Sequence, residues 1–173
     1  VCVCVCACVC ACTCITQDHK KAFAEAYRVL KPGGVACIGI WGDESNSELF
    51  SLFPRALKRI GVALPPNPTR NNYHLQERGG DVGLRAMMTK EFGFHRCTVF
   101  HVHNAVGCLD GKEFAHKWLR CMGDEGLDVP LLAKLRETGQ YQAMVEAMET
   151  LAEEILAAGR PIGLDVSILV VRK

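Results

Sequence analysis

The sequence predicts an α/β fold, on three observations. A helical stripe (Phe23, Ala26, Tyr27 and Leu30, at i, i+3, i+4 and i+7) leads through a Pro-Gly turn into the apolar run Val35–Trp41. Read onward, the chain alternates helix, strand, helices, strand, helices, strand, which suits helices packed on a sheet. With 173 residues, 49% of them hydrophobic, it is long enough for one domain with a sizeable core.

The first helix is expected from Asp18, a plausible N-cap, to Leu30, where Arg28 and Lys31 complement the helix dipole. Pro32 cannot continue that helix, and Gly33 suits the φ > 0 position of a type II turn. Val35–Trp41 reads as a parallel strand covered on both faces. After the polar stretch Asp43-Glu-Ser-Asn-Ser47, Leu49, Phe50, Phe53, Leu57 and Ile60 fall at helical spacing. Pro54 predicts a break there, with a second helix starting near it, and Gly61 a stop. Residues 62–80 read as a long loop. Asp81 is expected to cap a helix that carries Leu84, Met87 and Met88. Phe94–His103 reads as a strand with Cys97, Val99, His101 and His103 on one face. Residues 111–159 read as helical, with Phe114, Trp118, Cys121 and Met122 on one stripe and Tyr141 to Leu156 on a longer one. Gly159 and Pro161 close it, and Leu164–Arg172 is the last strand. The methionines at 87, 88, 144 and 148 lie on apolar stripes and read as packing.

The opening residues are different in kind. Seven of the 11 cysteines alternate with Val, Ala or Thr between Cys2 and Cys14, so residues 1–17 form a low-complexity Val/Cys segment. Metal binding by thiolates is disfavoured, because i, i+2 cysteines share one strand face and lack zinc-finger spacing. A translated dinucleotide repeat explains the alternation, since GTG and TGT encode Val and Cys. The segment also has strand-like residues that could pair with a sheet edge.

The other four cysteines, Cys37, Cys97, Cys108 and Cys121, are scattered, which suits a reduced, cytoplasmic protein. The formal charge of +1 gives no electrostatic case for nucleic acid. Beyond the first fourteen residues no apolar run approaches bilayer-spanning length.

Glu25-Ala-Tyr-Arg-Val-Leu-Lys-Pro-Gly-Gly34 resembles the segment joining the helix after the fourth strand to the fifth strand in class I S-adenosylmethionine-dependent methyltransferases. The order of Asp18, Ile40-Trp41-Gly42, Gly93-Phe94, Pro161-Ile-Gly-Leu-Asp165 and Leu169–Lys173 extends the likeness over residues 18–173. The chain is similar to the C-terminal half of the small-molecule enzymes of ubiquinone/menaquinone-biosynthesis type. The resemblance implies a partial Rossmann-like sheet (strands 5, 6 and 7, the last antiparallel) and S-adenosylmethionine as cofactor. It further implies a small-molecule acceptor and leaves the oligomeric state open. The glycine-rich loop that holds the cofactor in that family does not precede residue 18. The expectation is therefore a fragment, inactive by itself, with the Val/Cys segment in the groove of the fourth strand. About 60 residues separate the last two strands. Residues 104–160 are thus expected to rise from the rim where α/β sheets bind ligands, as a substrate lid.

Methyl transfer from a sulfonium needs alignment and exclusion of water, and a base only when the acceptor must lose a proton. Trp41, Tyr73 and His74 are the substrate-binding candidates, and His103 and Asp43 the catalytic ones. Asp43 serves equally as a cap for the next helix, and Trp41 as packing. His101 and His103 could relay a proton. No metal site is expected, for want of a third ligand. The cofactor-binding residues are not identified by sequence. Two further readings stay open: a noncatalytic interaction module derived from a methyltransferase, and another nucleotide-binding α/β enzyme such as a dehydrogenase.

Overall fold

The computed structural model describes residues 7–8, 18–63, 79–120 and 129–173. It is mixed α/β, and the chain divides into two compact units: residues 1–44, 67–103 and 165–173 form the first, and 45–66 with 104–164 the second.

Unit 1 is built on a four-stranded sheet in the order β1-β2-β4-β3. Helix α1 (His19–Val29) starts as expected, with Asp18 Oδ1 accepting the Lys21 N–H at 3.0 Å. The turn that follows is the one Pro32 and Gly33 call for. Gly33 adopts φ 76°, and the Gly34 N–H donates to the Lys31 carbonyl at 2.8 Å. Strand β2 (Val35–Trp41) pairs in parallel with the short β1 (Ala7–Cys8), through Ala7↔Ala36 and Cys8↔Cys37. Residues 7 and 8 of the Val/Cys segment thus supply a strand beside β2.

On its other side β2 is antiparallel to β4 (Gly163–Arg172), from Val35↔Arg172 to Trp41↔Val166. Beyond β4 lies β3 (Arg96–Ala105). The His95 N–H donates to the Arg172 carbonyl at one end of that pair, and Val106 N–H to Ile162 carbonyl at the other, so β3 and β4 are antiparallel too. Strands β2 and β3 therefore run the same way. Their C-terminal ends meet the beginning of β4 along one rim.

Strand β2 is parallel to β1, as expected, and antiparallel to β4. Within unit 1, Phe23 from α1, Leu30 just beyond its end, and Leu84, Met87 and Met88 after the second helical start pack on the same sheet face. That face carries Ala36, Ile38, Ile40, Cys97, Val99, Leu169 and Val171. On the opposite face Cys37, Trp41, Val166, Ile168 and Val170 are half-buried. The apolar character of β2 thus reflects its central place between two partners as much as burial on two faces.

Helix α3 (Gly80–Ala86) differs from expectation at its start. Its N-cap is Gly79 in the left-handed region, so Asp81 lies inside the first turn and does not cap. The helix widens into a π-helical turn, Met87–Glu91, with Phe92 N–H donating to the Met87 carbonyl at 3.3 Å.

Unit 2 is helical: α2 (Glu48–Arg59), α4 (Gly111–Trp118), α5 (Val129–Glu137) and α6 (Tyr141–Ala157). Its core gathers Leu52, Phe53, Phe114, Trp118, Leu132, Met144, Met148, Leu151 and Ile155. The rings of Phe53 and Trp118 stack at 4.6 Å, and the indole N–H donates to the Leu49 carbonyl at 3.0 Å. The predicted break at Pro54 is absent, because α2 continues through it. An interior proline costs about 3 kcal/mol, whereas burying each of Leu52, Phe53 and Leu57 contributes about 1.5–3 kcal/mol. Packing wins. Gly111 sits so close to α6 that a Cβ there would lie 2.0 Å from the Glu149 carbonyl oxygen. Residues 104–164 thus share one core with residues 45–66.

Candidate functional site

The rim where β2 ends is assembled from four elements of unit 1. Strand β2 delivers Trp41, half-buried and paired with Val166, followed by buried Gly42 and exposed Asp43. The first residues of β4 deliver Asp165, β3 delivers His101, and the first turn of α3 delivers Asp81.

Asp165 is the centre of the arrangement. Its side chain is only 6% exposed, because alternation along β4 turns residues 165, 167, 169 and 171 to the packed face. A buried carboxylate needs hydrogen-bond donors. Asp165 has the Asp43 N–H at 2.8 Å on Oδ2, and the His101 Nδ1 at 3.1 Å from Oδ2 and 3.3 Å from Oδ1. The Asp165 carbonyl also accepts the Gly42 N–H at 2.8 Å. Gly42 is obligatory for this fit, since a Cβ at that position would stand 2.1 Å from Oδ2.

The other ring nitrogen of His101, Nε2, lies 2.8 Å from Asp81 Oδ1. The imidazole is thus bridged by carboxylates from α3 and β4. The hydrogen bond that the ring donates to Asp81 raises its proton affinity above the ordinary histidine value. Partial burial opposes that shift, and Asp165 adds to it. A histidine so placed holds its ring proton more firmly than a free imidazole does.

Of the residues singled out by sequence, Trp41 and Asp43 stand at this rim, Asp43 contributing its backbone N–H. His103 is exposed two residues beyond His101 on β3. Tyr73 and His74 lie outside the described residues. Helix α2 takes Ser47, not Asp43, as its N-cap residue. Sequence reasoning passed over Asp165 and Asp81 as site residues. The signal for Asp165 was a lone acid in a mostly apolar strand, directly after Pro-Ile-Gly-Leu. Among the described residues no group of three His, Cys, Asp or Glu side chains is placed to hold a metal ion. Among them, too, no helix is long and apolar enough to cross a membrane.

A methyltransferase-domain family model matches residues 2–38. The match takes in β1, α1 and the start of β2. No curated protein sequence matches the chain. Among solved structures the chain is similar to Haemonchus contortus phosphoethanolamine N-methyltransferase 2, solved with phosphomonomethylethanolamine and S-adenosylhomocysteine. The identity is 18% and the TM-score 0.35, over 95% of this chain and 32% of that one. The same enzyme with S-adenosyl-L-methionine gives the same values. A Galdieria sulphuraria protein assigned as a sarcosine dimethylglycine methyltransferase is 20% identical, with TM-score 0.33, over 95% of this chain and 51% of that one. The chain spans between a third and about half the length of these proteins.

Proposed function

We propose that this chain supplies part of the site of an S-adenosylmethionine-dependent methyltransferase acting on a small-molecule acceptor. The observation that carries the reading is the methyltransferase-domain match over residues 2–38, which leads into the strand whose end forms the rim. The sequence likeness around Glu25–Gly34 supports the class I type, and the small-molecule enzymes of ubiquinone/menaquinone-biosynthesis type as its relatives.

The chemistry of the rim suits this reading. The carboxylates of Asp81 and Asp165 hold the His101 imidazole, and Trp41 and Asp43 stand at the same rim, where β2 ends. When bound, S-adenosylmethionine supplies an electrophilic methyl group. Trp41 then walls the acceptor and excludes water, while Asp43 offers it a polar contact. Residues 104–160 act as the substrate lid, and the scattered cysteines of the body favour a reducing, cytoplasmic setting.

Calorimetric titration of the folded chain with S-adenosylmethionine tests the proposal. Heat that saturates, with competition by S-adenosylhomocysteine, supports it. No heat from a folded sample favours a noncatalytic module, and binding of a nicotinamide cofactor instead sinks it.

A further inference from the structure

We infer that His101 is a charged latch, an imidazolium that fastens the first turn of α3 to the rim through Asp81 on one ring nitrogen and Asp165 on the other. This goes beyond methyl transfer and does not depend on it.

Ionised carboxylates only accept hydrogen bonds, whereas a neutral imidazole has one N–H and one lone pair. With Nε2 at 2.8 Å from Asp81 Oδ1 and Nδ1 at 3.1 Å from Asp165 Oδ2, a neutral ring would turn its lone pair on one carboxylate. Only the doubly protonated ring satisfies both. The surroundings agree. From α3 come Asp81 and Arg85, whose guanidinium lies 3.5 Å from the other Asp81 oxygen. From β4 comes Asp165, and from the end of β2 the Asp43 N–H on Asp165, with the exposed Asp43 carboxylate following. On β3 itself the next titratable group is the exposed His103. The carboxylates outnumber the competing cation, so the proton is held on the ring.

The tie acts on the start of α3, because Leu84 and the following Met87 and Met88 seat only its far end on the sheet. The helix has seven residues, of which only Leu84 is buried, and it is entered through Gly79 and Gly80 at φ 106° and 56°. Two such glycines leave the path into the helix free of side-chain constraint. The polar tie at Asp81 fixes that entry. On the rim side, the same proton keeps Asp165 oriented toward the Asp43 N–H. Because both contacts raise the proton affinity of His101, the latch is complete below about pH 6.5, the ordinary value, and opens as pH rises through the elevated one.

The test is a ¹⁵N NMR titration of the histidine rings in the full chain from about pH 5 to 9, with His101→Gln identifying the signal. Hydrogen exchange of the α3 amides is followed in parallel, corrected for intrinsic rates. Both His101 nitrogens should be protonated at pH 6, with a midpoint above 6.5. Asp81→Asn should move that midpoint down toward the ordinary value. Exchange across residues 80–86 should quicken as pH passes the midpoint, while residues 141–157 stay protected. A single neutral tautomer at pH 6, or a wild-type midpoint at or below the ordinary value, overturns the latch whether or not the variant folds. So does an unmoved midpoint in a folded Asp81→Asn. Calorimetry with S-adenosylmethionine on the same samples tells a failed latch from a failed methyltransferase reading.

Discussion

Lys173 Nζ lies 2.7 Å from the Tyr27 carbonyl oxygen and 4.4 Å from the centroid of the Tyr27 ring. It also donates to the Leu30 carbonyl at 2.9 Å, so one ammonium caps the end of α1 and stacks on an aromatic face. The Lys173 backbone meets the turn as well, through Gly33 N–H and Gly34 carbonyl. Replacing Lys173 by Met keeps the stem and removes the charge. It should destabilise the protein by about 1 kcal/mol, read as a lower Tm, with faster hydrogen exchange at the last turn of α1.

Gly42→Ala should disturb the rim more than its size suggests, because the added methyl group collides with the Asp165 carboxylate. The expected cost is about 1–3 kcal/mol, measured by denaturant unfolding. Combined with Asp165→Ala, which removes the obstacle, the two changes should cost less than their sum in a double-mutant cycle.

Gly111→Ala presses on backbone, which cannot swing aside as a side chain can. A loss of about 1–3 kcal/mol is expected, with exchange protection falling first in α4. Wild-type stability would show that α4 and α6 stand farther apart.

Pro54→Ala should stabilise, since it restores a backbone donor inside α2 and relieves the clash with the preceding turn. The gain should be about 1–3 kcal/mol, seen as a higher denaturation midpoint with an unchanged m-value. An unchanged or lower midpoint would contradict it.

Burial pushes the Cys97 thiol up to about 11, with Arg85 opposing and Asp81 reinforcing the shift. Its alkylation at pH 8 should therefore be on the order of 100-fold slower in the folded than in the unfolded chain, as the thiolate fraction falls tenfold per unit. Because the folded chain disfavours the thiolate, this contribution to stability is complete below about pH 9 and lost as pH rises through 11. Peptide mapping after timed alkylation checks the rate.

The local grammar was legible. Asp18 as a cap, the Lys31–Gly34 turn and the apolar run of β2 are written in neighbouring residues, and each is found where neighbours put it. Pro54 misled because propensity is a local weight, overruled by the shared core of α2, α4 and α6. Asp81 misled for a similar reason, since a cap-forming residue was drawn into a distant pairing. The rim was only half legible. Trp41 and Asp43 follow from strand termination, but His101 meets Asp165 across 64 positions and Asp81 across 20. Which of two histidines on one strand face finds a partner depends on the register of β4 and the start of α3. Neither is written near residue 101.

The place of β4 has a consequence for how the protein comes into being. Strands β2 and β3 have no ladder between them, and each bonds to β4, the latest of the four in the chain. The helices α2, α4, α5 and α6 all precede residues 163–172 in the chain and share a core that does not need them. The helical unit can therefore gather its core while the sheet still has a gap in its middle. Closure then joins residue 35 to residue 172, a long-range step of the kind that slows folding. Until it occurs, both β2 and β3 carry open edges, and a nascent chain is most exposed to wrong pairing in that interval.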